Sequence, residues 1–130
     1  MASFLYTVSE AQLDPIYKHV NHATCLSILE YARYQYLISV GYPSEKLISE
    51  GLFIVISKVE VRYLREVFEG EISVTCEEPK IDGKILKLHQ KILNDKGKIA
   101  VDGLIECQIM LGSTKRAVLP PEEFSKAFLS

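Results

Sequence analysis

The 130-residue sequence has no tryptophan and only three cysteines, which stand at positions 25, 76 and 107. Their number is odd, and no two of them have the C-x-x-C spacing that is typical of zinc sites and redox motifs. We interpret Cys25, Cys76 and Cys107 as buried, small apolar side chains in a reducing compartment. The sequence predicts no metal site and no cofactor.

An excess of positive charge is also absent, since the net charge is −2 and Lys and Arg are mixed with Asp and Glu. This balance argues against a nucleic-acid partner, which requires a basic face. No apolar run approaches the roughly 20 residues of a membrane span, and the N-terminus lacks the pattern of a signal peptide. We expect a cytoplasmic protein that folds as a single domain over residues 1–130.

No Gly or Pro stands between Asn21, whose side chain can cap a helix, and Gly41. Gly41 is typical of a helix stop. The polar residues Thr24, Ser27, Glu30 and Arg33 recur every third position, and they do not stack on one side at about 100° per residue. The pattern predicts a long helix over 21–41 that lacks a broad solvent face and is enclosed by the rest of the chain.

Strand patterns dominate the remaining sequence. Alternating and apolar runs predict strands at 4–8, 52–65, 71–78, 84–93 and 98–111, with one helical turn at 44–49 and a terminal helix at 120–129. The short connections, including the hairpin signal Asp82-Gly83, favour antiparallel neighbours. We expect an α+β domain in which a five-stranded antiparallel sheet wraps around one long central helix. Its open edges predict at least a dimer.

Four polar residues converge on the start of the long helix: Asp14, Tyr17, His19 and Asn21. The first amide groups of a helix lack intrahelical acceptors and carry partial positive charge, so they can polarise a carbonyl oxygen placed against them. A nearby carboxylate could attack the carbonyl carbon or activate a water molecule. Asp14 is the candidate for that role, although a loop Asp before Pro is also a common turn residue.

The segments DPIYKHVNHA at 14–23 and LEYAR at 29–33 carry a family resemblance. Together with VRY at 61–63 and GEI at 70–72, they resemble the hotdog-fold acyl-CoA thioesterases of the 4-hydroxybenzoyl-CoA thioesterase type. That resemblance implies hydrolysis of an acyl-CoA thioester, with coenzyme A as part of the substrate. It also implies a homodimer or homotetramer with the active site at the dimer interface.

The resemblance also implies roles for single residues. Asp14 matches the catalytic carboxylate, as nucleophile or general base, and backbone amides from His19 to His22 match the groups that polarise the thioester. Asn21 matches a helix cap that can also hold a water molecule. Lys18 stands where the family has Gly, and it could lie near the coenzyme phosphates. The predicted substrate-binding residues are Tyr17, Lys18, His22 and Tyr63, the last on an inward strand face.

Two alternatives stay open at this point. The first is a non-catalytic hotdog module that binds acyl-CoA or acyl-carrier thioesters without turnover, which the replacement of Gly by Lys18 keeps open. The second is another acyl-thioester chemistry, such as a dehydratase, for which His19 and Glu30 are the only plausible pair. We interpret Glu30 and Arg33 as polar anchors that could pair along the helix.

Overall fold

The computed structural model describes residues 1–129 and shows one antiparallel sheet with a long helix packed on its inner face. The helices are α1 (His22–Ser39), α2 (Ser44–Ser49) and α3 (Glu122–Ala127), with a 3-10 turn at Glu10–Gln12. The strands are β1 (Ala2–Val8), β2 (Leu52–Tyr63), β3 (Gly70–Cys76), β4 (Lys80–Asp82), β5 (Ile85–Leu93), β6 (Ile99–Leu111) and β7 (Arg116–Val118).

Helix α1 begins and ends where the sequence predicts. The Asn21 side chain accepts a hydrogen bond from the backbone N–H of Thr24 at 2.9 Å, which satisfies one of the free amides of the first turn. Gly41 has a φ of +79°, a left-handed conformation that favours glycine and ends the helix. None of the helices in residues 1–129 has the length and apolar character that crossing a membrane requires.

The five long strands lie in the order β1-β3-β5-β6-β2, and the short strands β4 and β7 pair with β5 and β6. The expectation that each short connection joins neighbouring strands is wrong for β2 and β3. Strand β2 pairs with β6 and β3 pairs with β1, so the connection at 64–69 crosses between the two ends of the sheet. This crossover leaves β1 and β2 as the two edges.

The core lies between the inner face of the sheet and one side of α1. On the helix, the buried residues include Ile28, Leu29 and Ala32, each of which is fully buried. On the sheet, alternation predicts inward residues on β3, β5 and β6, and these are buried: Ile72, Val74, Cys76, Leu86, Leu88, Ile92, Val101, Ile105, Cys107 and Ile109. The same prediction is wrong for Ile99, which is only half-buried, because a register shift opposite Leu93 makes Ala100 the buried residue there.

The expectation that the chain alone encloses α1 is wrong. Leu26 and Ile38 of α1 are 38% and 57% exposed, and Ile56 and Val59 on the inner face of β2 are 43% and 45% exposed. The reason is topological: β2 is an edge strand, so no further strand extends the sheet over this side of the helix. The side chains of Ile56 and Val59, which share the inner face of this edge strand, are therefore open, and we call them the edge surface.

Candidate active site

The segment before α1 forms a closed loop at residues 14–19. A β-bridge joins Leu13 to Val20, and directly inside it the Asp14 N–H donates to the His19 carbonyl at 2.7 Å. The Lys18 N–H donates to the Asp14 carbonyl at 2.9 Å. These bonds fold the segment back on itself, so Asp14 and His19 lie side by side immediately before the helix.

Asp14 organises this loop with its side chain as well as its backbone. Its Oδ1 accepts hydrogen bonds from the backbone N–H groups of Ile16 at 2.8 Å and Tyr17 at 2.9 Å. These two bonds, with smaller contributions from the charges of His19 and Lys18, lower the pKa of Asp14 below its ordinary value. The carboxylate is therefore ionised at neutral pH. Its Oδ2 makes no hydrogen bond within residues 1–129.

Lys18 adopts a left-handed conformation, with a φ of 60°. A side chain with a Cβ atom is strained in this region, whereas glycine adopts it freely. The family pattern has Gly at this position, and the structure shows that the backbone still has the conformation that suits Gly. The Lys18 side chain therefore extends from a turn position whose conformation favours Gly.

His19 lies against two side chains at the base of the loop. Its ring stacks on that of Tyr17, with the centroids 5.8 Å apart and the planes 10° from parallel. Its buried Nδ1 lies 3.5 Å from a carboxylate oxygen of Glu66 but makes no hydrogen bond within residues 1–129. No local signal in the sequence points to Glu66, because it lies in the 64–69 crossover and only the folded chain brings it to this loop.

The amide groups at the helix start divide into occupied and free donors. The Val20 N–H donates to the Val67 carbonyl at 2.8 Å, and the Thr24 N–H donates to the Asn21 side chain. The N–H groups of His22 and Ala23 have no acceptor within residues 1–129. These two amides carry the partial positive charge of the helix start and can accept a ligand oxygen.

Tyr63 lies at the helix start as well, although it is not enclosed there. Its hydroxyl donates to the His22 carbonyl at 3.1 Å, and the two rings meet edge to face with centroids 6.4 Å apart. Tyr63 is on the inner face of β2, as expected, but it is 48% exposed because the edge strand has no covering element. The structure therefore places Tyr63 at the rim of the site.

All seven predicted site residues lie in two adjacent groups. The closed loop holds Asp14, Tyr17, Lys18 and His19, and the helix start holds Asn21, His22 and Tyr63. Within one chain the carboxylate beside His19 is Glu66, whereas the dehydratase alternative pairs His19 with Glu30 across a dimer interface. Glu30 also forms no ion pair with Arg33 in residues 1–129.

Known structures and one protein family are similar to this chain, while none of the curated proteins matches it. A thioesterase from Thermus thermophilus, complexed with coenzyme A and Zn, is 27% identical with a TM-score of 0.83, over 98% of this chain and 97% of that one. The protein SAV2348 of Staphylococcus aureus, in complex with CoA, is 20% identical with a TM-score of 0.89, over 98% and 80% of the two chains.

The DHNA-CoA thioesterase of Staphylococcus aureus is 17% identical with a TM-score of 0.89, over 98% of this chain and 88% of that one. The fold is thus the hotdog fold of these thioesterases, which confirms the predicted architecture. The profile of the thioesterase-like superfamily matches residues 10–128, a range that includes the loop, all of α1 and the whole sheet except β1. The chain belongs to the thioesterase-like superfamily.

Proposed function

We propose that this protein hydrolyses acyl-CoA thioesters to the free acid and CoA, with Asp14 as its catalytic carboxylate. One observation carries the assignment: an ionised carboxylate lies in a closed loop beside a helix start whose first two amides are free. Membership of the thioesterase-like superfamily supports thioester chemistry, and two of the similar structures contain coenzyme A. The substrate of this chain is therefore proposed to be a CoA ester.

The proposed reaction uses the helix start as an oxyanion site. The amides of His22 and Ala23 donate to the thioester oxygen, and they stabilise the negative charge that this oxygen gains in the transition state. Asp14 attacks the carbonyl carbon through Oδ2, which forms a C–O bond, and the C–S bond breaks to release CoA as a thiolate. Water then hydrolyses the anhydride and regenerates the carboxylate.

An activated water molecule is the other route to the same products. Asp14 would then take a proton from water, and the resulting hydroxide would attack the carbonyl carbon while CoA leaves as a thiolate that takes up the proton. The two hydrogen bonds to Oδ1 lower the pKa of Asp14 and weaken it as a base. Both routes use the ionised carboxylate, and both lead to the free acid and CoA.

The coenzyme moiety is proposed to lie along the exposed side of the loop. Lys18 and Tyr17 are both exposed, and Tyr17 is 71% accessible. The Lys18 ammonium can neutralise a coenzyme phosphate, since lysine binds phosphate as a point charge. The Lys18 ammonium has no ion-pair partner in residues 1–129, so it is available to a ligand.

The functional unit is proposed to be a homodimer or homotetramer with the site at the interface. The edge surface formed by Ile56 and Val59 is exposed in one chain, and β2 presents an unpaired strand edge beside it. A second copy of the chain would cover both features. Tyr63 lies on the same edge strand as Ile56 and Val59, so this interface would border the helix start.

A panel of acyl-CoA substrates, with thiol release followed continuously, tests the proposed activity. The informative variant is Asp14→Asn, because the amide oxygen of Asn can still accept the two backbone bonds while the charge is lost. We expect the fold to survive and kcat to fall by at least about a hundredfold, the scale of a lost catalytic group. Asp95→Asn in the β5–β6 turn is the matched control. Full activity of Asp14→Asn would remove Asp14 from the mechanism.

The non-catalytic binding module is the second candidate. One observation favours it: Asp14 Oδ1 accepts two hydrogen bonds from backbone N–H groups of its own loop. Asp14 can therefore be explained as a residue that stabilises the loop, without a catalytic role. In that case CoA esters would bind tightly and no thiol would be released by the wild-type protein. Calorimetric binding of the same panel separates the two candidates.

A further inference from the structure

One cavity in residues 1–129 lies apart from the Asp14 loop, under the C-terminal half of α1. Its volume is about 260 Å³. The side of α1 that lines it runs from Glu30 to Leu37, a distance of about 10 Å at 1.5 Å per residue. Leu86, Leu88 and Cys107 of the sheet form its floor. None of the seven predicted site residues lines this cavity.

The two ends of this cavity differ in polarity. Glu30, which is exposed, and Arg33, which is half-buried, line one end. The other end is walled by Phe124 and Phe128, which are 1% and 6% exposed. A polar, accessible end and a buried aromatic end are what an amphipathic ligand with a hydrocarbon tail requires.

The aromatic end is built by the C-terminal segment of the chain. The Phe128 ring meets that of Tyr36 of α1 edge to face, with centroids 5.2 Å apart, and Phe124 meets Tyr42 in the same way at 5.2 Å. Phe124 and Phe128 also contact each other, with centroids 5.1 Å apart. These contacts fix α3 across the end of α1, so the wall is rigid.

We propose that this cavity binds the aliphatic tail of the acyl group and that Phe128 limits the length of tail it accepts. This inference rests on the proposed thioesterase function, and it adds the substrate class. An apolar protein cavity of about 150 Å³ holds one benzene molecule, so by proportion about 260 Å³ holds about ten carbon atoms. The thioester carbonyl is proposed to lie at the amides of His22 and Ala23, about 10 Å along α1 from Glu30 at 1.5 Å per residue, and the tail spans that distance before it enters the cavity. The substrate class is therefore a long-chain aliphatic acyl thioester.

Binding in the cavity can be tested without catalysis, because the chain has no tryptophan of its own. Phe128→Trp places a single fluorophore at the end wall, and Leu5→Trp, at a 63% exposed site on β1 outside the cavity, is the control. Both are titrated with CoA and with the non-hydrolysable thioethers S-ethyl-, S-decyl- and S-hexadecyl-CoA. We expect the emission of Trp at 128 to shift with S-hexadecyl-CoA only, because the shorter tails do not reach the wall from the helix start, and we expect the control to stay unchanged.

Acyl-length specificity is tested with Phe128→Ala and the milder Phe128→Leu, after thermal unfolding has shown that each is folded. Removal of the ring lengthens the cavity, so the ratio of kcat/KM for hexadecanoyl-CoA to that for decanoyl-CoA should rise about tenfold. The rate with acetyl-CoA should stay within about twofold of wild type, because an acetyl group is too short to reach the wall.

The outcomes separate this inference from the proposed function. If acyl-CoAs are hydrolysed but the emission at 128 is unchanged by every thioether, the cavity is not the acyl site and the function stands. If the emission shifts and no substrate is hydrolysed, the cavity binds acyl tails and the catalytic proposal fails. An equal shift with CoA alone, or an unchanged chain-length ratio in both folded Phe128 variants, would overturn the inference.

Discussion

Arg33 donates a hydrogen bond from Nη1 to Oε1 of Gln90 at 2.9 Å, across the core between α1 and β5. The Gln90 side chain is fully buried, and its amide donates in turn to the Leu29 carbonyl at 3.0 Å and to the Cys76 sulfur at 3.2 Å. Burial of Arg33 lowers the pKa of its guanidinium. In one chain Gln90, and not Glu30, is therefore the partner that holds Arg33 at the polar end of the cavity.

The first prediction concerns Gln90→Leu, which keeps the approximate volume and removes all three hydrogen bonds. The half-buried guanidinium of Arg33 and the backbone carbonyl of Leu29 both lose their hydrogen bond to Gln90. The free energy of unfolding should therefore fall by about 2–3 kcal/mol. Urea unfolding followed by circular dichroism measures this change. Gln108→Leu, on the partly exposed face of β6, is the control and should change stability by less than about 0.5 kcal/mol. Equal effects of the two substitutions would contradict a special role for Gln90.

The second prediction concerns the left-handed conformation of Lys18. Lys18→Gly removes the strain of a Cβ atom at a φ of 60°, so it should raise the free energy of unfolding by up to about 1 kcal/mol. Lys96, in the turn at 94–97, does not have a positive φ, so Lys96→Gly relieves no strain. This control should leave the free energy of unfolding unchanged or lower it. Thermal unfolding of both variants checks the difference. If Lys18 also binds a coenzyme phosphate, Lys18→Gly should raise KM with little change in kcat.

The third prediction follows from the lowered pKa of Asp14. Its pKa in the folded chain lies below the ordinary value of 3.8, so its carboxylate stabilises the folded state above pH 3.8 and loses this contribution as pH falls through the folded pKa. The difference in unfolding midpoint between wild type and Asp14→Asn should therefore be largest near about pH 5 and shrink towards about pH 2.5. A difference that is constant over this range would show that the two hydrogen bonds do not depend on charge.

Local patterns in the sequence predict most of the fold. Asn21 and Gly41 define α1, because a helix cap and a left-handed stop depend only on neighbouring residues. Most of the inward residues of β3, β5 and β6 follow from alternation along each strand. The pairing of β2 with β6 does not follow, because strand order depends on contacts between distant segments. The open side of α1 is a consequence of that order.

The candidate site is predictable only in part for the same reason. Asp14, His19 and Asn21 are close in sequence, so their proximity to the helix start could be inferred directly. Glu66 and the Val67 carbonyl come from the crossover, and no local signal connects them to this loop. The cavity under α1 depends on where α3 packs, and amphipathic patterning does not report that position.

The fourth prediction concerns assembly through the edge surface. Val59→Lys places a charge on the inner face of the edge strand β2, where Val59 is 45% exposed in one chain. If a second copy covers this surface, the variant should sediment as a monomer while wild type sediments as a dimer or tetramer. Leu104→Lys, at a 50% exposed position on the outer face of β6, is the matched control and should keep the wild-type mass. A monomeric wild type would contradict the prediction.

The fifth prediction concerns the three buried thiols. Burial raises the pKa of Cys25 and of Cys76 to about 11 and also raises that of Cys107. Against an ordinary value of 9.0, a pKa of about 11 lowers the thiolate fraction about a hundredfold at a given pH. Restricted access slows the reaction further, so all three should react with a disulfide reagent more than a hundredfold faster in guanidinium than in the native protein. Ser113→Cys adds one exposed thiol as the positive control, and a native thiol that reacts as fast as this one would contradict the burial of that cysteine.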